Sequence, residues 1–171
     1  MARIGRQIPH FEMVDRDSVE AVFSADRRYR YLLSLKYLDS LMDADRDREM
    51  VVVLKNPSAA DDQQADATIR KVETFVYHRF PDVRTLHILN IFAYRATDPG
   101  DLNRAFSEKG AMEVIGEEND RVMTTALEGC DYAILAWGNR SGIHEALYQE
   151  RIYRDASSCP PAGRPPGSCP G

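Results

Sequence analysis

Three short apolar runs along the chain predict buried β-strands. They are Met50–Leu54, Leu86–Ile91 and Tyr132–Trp137. Each run is nearly continuous, which is typical of strands buried on both faces of a parallel sheet. We therefore expect these three strands to be mutually parallel. The stretch Arg27–Leu38 mixes alternation with aromatic residues, which favours an edge strand.

Helical spacing fills the gaps between these runs. Asp66 can cap a helix that ends before Pro81 and that carries Ile69, Val72, Phe75, Val76 and Phe80 on one face. Further helices are predicted around Glu117–Leu127 and from Ser141 to about Ile152. Repeated strand, loop and helix segments predict an α/β fold, a three-layer α/β/α sandwich with a mainly parallel central sheet.

The two ends of the chain differ from this pattern. Residues 1–26 are polar and have no sustained period, so the α/β domain is expected at 27–156. Residues 157–171 read SSCPPAGRPPGSCPG, a composition typical of a disordered tail.

Composition narrows the classes of function. A net charge of -5 argues against tight binding of duplex DNA and favours a small ligand or a weak nucleic-acid contact. A local basic patch is still possible, because Arg27, Arg28 and Arg30 are clustered in the sequence. No apolar run approaches the roughly 20 residues that span a bilayer, and no signal-peptide core is present, so we expect a cytoplasmic protein without a membrane contact. The scattered histidines and the cysteine spacing predict no metal site. Since no Walker loop or GxGxxG exists, no cofactor is expected.

Ligands of parallel sheets bind beyond the carboxyl ends of the strands, where this chain places polar loops. Asn56-Pro57-Ser58 follow the first strand, and Pro57 biases Asn56 towards an extended conformation. The Asn56 amide could hold a water, and Asp61 or Asp66 could act as a base or stabilise a developing cation. Turns and helix caps use the same residue types, so a purely structural role stays open.

Asn90 interrupts an apolar strand just before its end. A buried amide costs about 1–3 kcal/mol if it is unpaired, so Asn90 either ties loops together or reads a ligand. We expect it to be largely buried and to face the same cavity as Asn56. Trp137-Gly138-Asn139 closes the third strand, where the indole could line a pocket or belong to the core.

Five motifs together carry a family resemblance: Asn56–Asp61, Asp66–Arg70, Asn90–Pro99, Glu118–Asp120 and Ala136–Gly138. From about Phe23 to Gly138 the chain resembles the bacterial family catalogued as domain of unknown function 1643. The polar residues of these motifs add Arg95, Asp98 and Asn119 to the candidate ligand-binding set.

The motif order is also distantly similar to that of uracil-DNA glycosylases. There an Asn- or Asp-Pro step positions a water, an Asn reads the base, and a third strand ends in a Trp-Gly or Leu-Gly step. These features match Asn56-Pro57, Asn90 and Trp137-Gly138. The resemblance implies a uracil-DNA-glycosylase-like fold and the same roles at these positions.

The residues and the resemblance lead to two hypotheses about function. The first is an N-glycosidase-like hydrolase without a cofactor, which recognises a nucleobase-containing small molecule or a single-stranded nucleic acid. In it Asn56 positions water, Asp61 or Asp66 supplies the carboxylate, and Asn90 reads the base. The alternative is a non-catalytic ligand- or partner-binding module on the same fold, since no His follows His144 where the glycosylases carry an electrophilic His-Pro-Ser loop.

Overall fold

The computed structural model describes residues 7–39, 46–57, 60–96, 99–140 and 143–158. It has an α/β fold, as the sequence predicts. The elements in chain order are β1 (Val14–Phe23), β2 (Arg30–Tyr37), β3 (Arg48–Leu54), α1 (Ala67–Arg79), β4 (Val83–Asn90), α2 (Pro99–Lys109), α3 (Ala111–Ile115), α4 (Asn119–Gly129), β5 (Tyr132–Leu135) and α5 (Glu145–Ser158).

The strands form one five-stranded sheet in the order β1-β2-β4-β3-β5. β3 is parallel to both β4 and β5, which confirms the predicted direction of the three apolar strands. However, β5 ends at Leu135 and lies at an edge of the sheet, where its residues are half-buried or exposed, so the prediction of a third buried strand is wrong. In addition, β1 pairs antiparallel with β2, and β2 pairs antiparallel with β4. The sheet is therefore mixed, and the expectation of a mainly parallel sheet is wrong. The short turn between β1 and β2 forces an antiparallel hairpin, because parallel neighbours need a long crossover connection.

The N-terminal hairpin also changes the place of β2 in the sheet. Residues 14–23 showed no strand pattern, yet they form β1 and cover the outer side of β2. β2 is therefore an inner strand, and the prediction of an edge strand is wrong. In β1 the structure buries only Val14 and Val19, so the alternation that marks a half-buried strand is too sparse to recognise.

Both faces of the sheet are covered by apolar side chains. Met50, Val52 and Leu54 of β3 join one buried cluster with Ile69 and Val76 of α1. The alternate residues Val51 and Val53 join the second cluster, which includes Met123, Leu127 and Leu147 from α4 and α5. Because successive side chains of a strand point to opposite faces, helices pack against both faces of β3. This explains its continuous apolar run.

The helix boundaries follow local chemistry. Asp66 Oδ1 accepts hydrogen bonds from the backbone nitrogens of Thr68 and Ile69, at 2.8 and 3.0 Å, which confirms the predicted cap of α1. Phe75, expected on the buried face of α1, is instead 50% exposed, and Glu73 is buried in that helix. Ser141 and residues 159–171 lie outside the described part of the chain. None of the helices within that part has the length and apolar character needed to cross a membrane.

A buried carboxylate ties the N-terminal segment to α1. Glu73 Oε1 lies 2.5 Å from His10 Nδ1, and Glu73 Oε2 accepts a hydrogen bond from the Phe11 backbone nitrogen at 2.9 Å. The Glu73 side chain is 0% exposed and that of His10 is 2% exposed. Since buried polar groups are expensive when unpaired, these contacts hold the segment before β1 against the helix.

Glu73→Ala should therefore lower the free energy of unfolding by about 3–5 kcal/mol, because it leaves His10 and the Phe11 N–H buried without a partner. Urea denaturation followed by circular dichroism measures this loss. Glu12→Ala is the matched control, since Glu12 is exposed in its ion pair with Arg70. That variant should lose less than about 1 kcal/mol. Equal losses in both variants would contradict the anchoring role of Glu73.

Candidate functional site

The candidate site lies where β4 ends and β2 begins. Because β2 runs antiparallel to β4, the first residue of β2, Arg30, comes next to the last residue of β4, Asn90. The parallel strand β3 ends at the same edge, where Leu54 is the register partner of Asn90. The loop that follows β3 therefore starts beside both polar side chains.

The Asn90 side chain is buried and held in one orientation. Its exposure is 1%, which agrees with the prediction of a largely buried amide. Asn90 Oδ1 accepts a hydrogen bond from Arg30 Nη2 at 3.2 Å. Asn90 Nδ2 has no hydrogen-bond partner among the described residues. The amide thus has a fixed oxygen and an unused donor.

Arg30 bridges Asn90 to the loop after β3. Its Nη1 donates to the carbonyl oxygen of Ala60 at 2.8 Å, and its exposure is only 1%. Burial lowers the pKa of Arg30 to about 10, so the guanidinium remains charged at neutral pH. The buried charge is held by one amide oxygen and one carbonyl oxygen.

A β-bulge gives Arg30 this direction. Val22 pairs with Leu32 and the next residue, Phe23, pairs with Arg30, so Tyr31 is an extra residue in β2. Arg30 and Tyr31 are both buried although they are consecutive. Tyr31 packs near Gly116, on the side of α3, whereas Arg30 reaches Asn90. Bulges commonly re-aim a side chain next to a functional site.

Side chains also hold the backbone at the end of β4. Asn119 Nδ2 donates to the carbonyl oxygens of Asn90 and Ile91, at 3.0 and 3.4 Å. Arg151 Nε donates to the Ile91 carbonyl at 2.9 Å, and Arg151 Nη1 lies 2.6 Å from Asp120 Oδ1. α4 and α5 are therefore tied to the strand end, and Asn119 positions the backbone of Asn90.

The loop after β3 divides into structural and available groups. Asp61 Oδ1 accepts from the backbone nitrogens of Gln63 and Gln64, and its Oδ2 accepts from Gln7 Nε2, so both oxygens hold the turn together. Asp66 uses Oδ1 to cap α1, while its Oδ2 is buried and has no partner among the described residues. Of the two candidate carboxylates, Asp66 has the oxygen that is not engaged.

Asn56 is half-buried, and its side chain forms no hydrogen bond with another described residue, whereas Pro57 is buried. The side-chain amide of Asn56 therefore remains available for a water or a ligand. Ser58 and Asp98 lie outside the described residues.

The third predicted strand end lies on the other face of the sheet. Trp137 is half-buried and packs against the cluster formed with α4 and α5, opposite the face that carries Asn90. Gly138 has φ 70°, and its carbonyl accepts a hydrogen bond from the Tyr148 hydroxyl. Asn139 is exposed. Trp137 thus contributes to the core and does not meet the Asn90 amide.

Arg95 lies beside the site, half-buried against the ring of Phe23. No group of three or more metal-binding side chains was found in the part of the chain that the structure describes.

The buried roles of Arg30 and Arg151 were not identified from the sequence. Arg30 directly precedes an apolar strand, which is only a weak sign of a buried role. Arg151 lies far from β4 in the sequence, so no local pattern indicates that it contacts the end of that strand.

Comparison with known proteins identifies one family. The family model described as "Protein of unknown function (DUF1643)" matches residues 30–155. No curated protein and no solved structure matches the chain. The matched range includes Arg30, Asn90, Asn119 and Arg151, which form the hydrogen-bonded end of β4.

Two substitutions at Asn119 should separate packing from hydrogen bonding. Asn119→Ala should lower the free energy of unfolding by about 1–3 kcal/mol, because the buried carbonyl of Asn90 loses its donor. Asn119→Asp should cost more at pH 7, although it preserves volume, since a carboxylate cannot donate to the carbonyls of Asn90 and Ile91. Chemical denaturation measures both losses. Asn139→Asp, at an exposed position, is the control and should change stability by less than about 0.5 kcal/mol. If Asn119→Asp is the milder Asn119 variant, the donor role is wrong.

Proposed function

The chain belongs to the DUF1643 family of proteins of unknown function, and we propose that it binds a nucleobase-containing small molecule at the carboxyl ends of β3 and β4. The observation that carries the proposal is the buried Nδ2 group of Asn90, which has no hydrogen-bond partner among the described residues. An unpaired buried donor costs about 1–3 kcal/mol, which a bound acceptor would recover. The end of a parallel strand pair is also where ligands of α/β sheets commonly bind.

The geometry of Asn90 indicates the kind of group it recognises. Its Oδ1 faces Arg30 Nη2, so the amide cannot flip without placing its NH2 group against a guanidinium. The side chain therefore presents a donor to the ligand. Carbonyl oxygens and ring nitrogens of nucleobases are acceptors that such an amide reads. Asn56, whose amide makes no hydrogen bond to the described residues, lies two residues beyond the register partner of Asn90 and can hold a water or a second ligand atom.

Ligand entry requires a movement near Asn90, because Nδ2 is shielded from solvent. The loop around Ala60 is the segment that we propose to move. Arg30 joins this loop to Asn90, since its Nη1 donates to the Ala60 carbonyl and its Nη2 to Asn90 Oδ1.

We also propose that the relation to uracil-DNA glycosylases extends to the fold, as a three-layer arrangement. Three features support this proposal: the parallel set β4-β3-β5, helices on both faces of the sheet, and the order of the Asn-Pro, Asn and Trp-Gly steps. The N-terminal hairpin is then an addition at one edge of the sheet. Shared fold alone does not determine activity, so the site has to be tested directly.

Asn90→Asp tests the donor while keeping the oxygen that faces Arg30. The carboxylate should pair with the guanidinium, so stability at pH 7 should be equal to wild type or higher. Binding should weaken at least tenfold, because the NH2 donor becomes an acceptor that repels the ligand's own acceptor. Isothermal titration against nucleobases, nucleosides and nucleotides measures the affinity, with Asn139→Asp as the control. If Asn90→Asp binds as wild type does, or if no member of the panel binds wild type, the proposed role of Asn90 is wrong.

The second candidate function is an N-glycosidase-like hydrolase. The observation that favours it is Asp66 Oδ2, which is buried and unpartnered among the described residues. In this mechanism Asn90 holds the base, Asn56 holds the attacking water, and Asp66 accepts its proton or stabilises the oxocarbenium-like transition state. Asp61 is the weaker choice for the carboxylate, since both of its oxygens are already hydrogen-bonded.

Asp66→Asn distinguishes the carboxylate from the helix cap. Asparagine caps helices as well as aspartate does, so α1 should remain stable. If the protein is a hydrolase, release of free base from nucleosides, nucleotides or uracil-containing single strands should fall about 100-fold or more, as followed by chromatography. Asp61→Asn, which alters a turn residue, should retain activity. A wild-type protein that releases no base from any of these substrates excludes the hydrolase and leaves the binding function.

A further inference from the structure

Two arginines lie over one phenylalanine ring beside the site. The guanidinium carbon of Arg27 is 4.0 Å from the centre of the Phe23 ring, and that of Arg95 is 5.0 Å from it. Arg95 Nη1 also lies 3.4 Å from the Arg27 carbonyl oxygen. Both guanidiniums therefore contact the same aromatic ring, and the charge of Arg27 acts on Arg95.

Neither guanidinium forms an ion pair with another described residue. Over the described ranges, 7–39, 46–57, 60–96, 99–140 and 143–158, no carboxylate oxygen lies within 4.0 Å of Arg27 or Arg95. Acidic side chains outnumber basic ones in this chain, which has a net charge of -5. Arg28, the residue next to Arg27, pairs with both Asp26 and Glu113. Arg27 and Arg95 therefore differ from Arg28 in that no described carboxylate contacts them directly.

The pKa of Arg95 reflects the placement of its guanidinium near that of Arg27. Burial and the charge of Arg27 lower the pKa of Arg95, although Asp61 attracts it from beyond ion-pair distance. The positive charge of Arg95 acts on Arg30 as well, and contributes with burial to its lowered pKa. An anion bound to Arg27 and Arg95 would relieve these repulsions.

Backbone geometry holds the pair in place. Arg27 has φ 57°, and it is the non-glycine residue with positive φ in the described part of the chain. Residues other than Gly, Asn and Asp rarely adopt a backbone conformation with positive φ. The Arg95 backbone nitrogen donates to the Arg28 carbonyl at 2.9 Å, and the Arg30 nitrogen donates to the Ala93 carbonyl at 3.0 Å. These bonds align residues 93–95 with the start of β2 and place Arg95 and Arg30 close together.

We propose that Arg27 and Arg95 bind the phosphate monoester of a nucleotide whose base contacts Asn90. This proposal rests on the proposed function, and it narrows the ligand from a nucleobase or nucleoside to a nucleoside monophosphate. Guanidinium groups bind phosphate oxygens through paired, charge-assisted hydrogen bonds. Arg30, which bonds to Asn90 and is close to Arg95, connects the base-reading amide to the phosphate-binding pair.

The test is isothermal titration at low ionic strength with four probes: inorganic phosphate, the common nucleoside 5′-monophosphates, the matching nucleosides and a short single strand. The variants are Arg27→Asn, which suits the positive φ at this position, and Arg95→Gln. Arg16→Gln is the control, because Arg16 is exposed near the opposite end of β1. We expect one monophosphate to bind at least tenfold tighter than its nucleoside. Each site variant should remove about tenfold of that affinity and leave nucleoside binding unchanged.

Each contrary result has a definite meaning. If nucleoside and monophosphate bind equally, the phosphate site is wrong while the proposed function stands. If inorganic phosphate binds through Arg27 and Arg95 but no base-containing probe binds more tightly, the phosphate-binding pair stands and the proposed function fails. If Arg16→Gln weakens binding as much as the site variants do, the attraction is diffuse and the proposal is overturned. Tighter binding of the single strand than of any monophosphate would overturn the monoester in favour of a phosphodiester.

Discussion

The structure depends on how the polar end of β4 is satisfied inside an apolar sheet. Asn90 follows a run of buried residues, and its side chain and main chain both need partners there. Arg30 bonds to the side-chain oxygen, while Asn119 and Arg151 bond to the carbonyls of Asn90 and Ile91. These partners come from β2, α4 and α5, so satisfying one strand end fixes the relative positions of three other elements.

The same network separates supporting residues from those available to a ligand. Asn119 Nδ2, Arg151 Nε and both oxygens of Asp61 hold the backbone or a turn, although Asn119 Oδ1 is itself buried without a partner among the described residues. Asn90 Nδ2 and Asp66 Oδ2 are also buried atoms without a partner among the described residues. Groups of this kind are expensive in a core that has only a structural role. Their presence at one strand end and in the loop before α1 is why we place the ligand there.

The distribution of charge also bears on which ligand the protein can bind. The net charge of -5 argues against tight binding of an extended duplex. The same charge does not exclude a single phosphate group, for which two well-placed guanidiniums suffice. Arg27 and Arg95 lie over Phe23 without a carboxylate within ion-pair distance in the described structure, so two guanidiniums are available to an anion although the chain as a whole is acidic.

The sequence alone determined the parallel set β3, β4 and β5, the cap at Asp66, and the burial of Asn90, because each depends on a local pattern. A continuous apolar run, an acidic residue before a helix, and one amide at a strand end are all readable without knowing the fold. Tertiary structure decided the rest. The hairpin made the sheet mixed, and the extra residue Tyr31 turned Arg30 towards Asn90. Trp137, which follows the end of β5, packs against the cluster with α4 and α5 and so lies away from that amide. Register shifts and pairing directions are set by contacts between distant segments, so no local pattern encodes them.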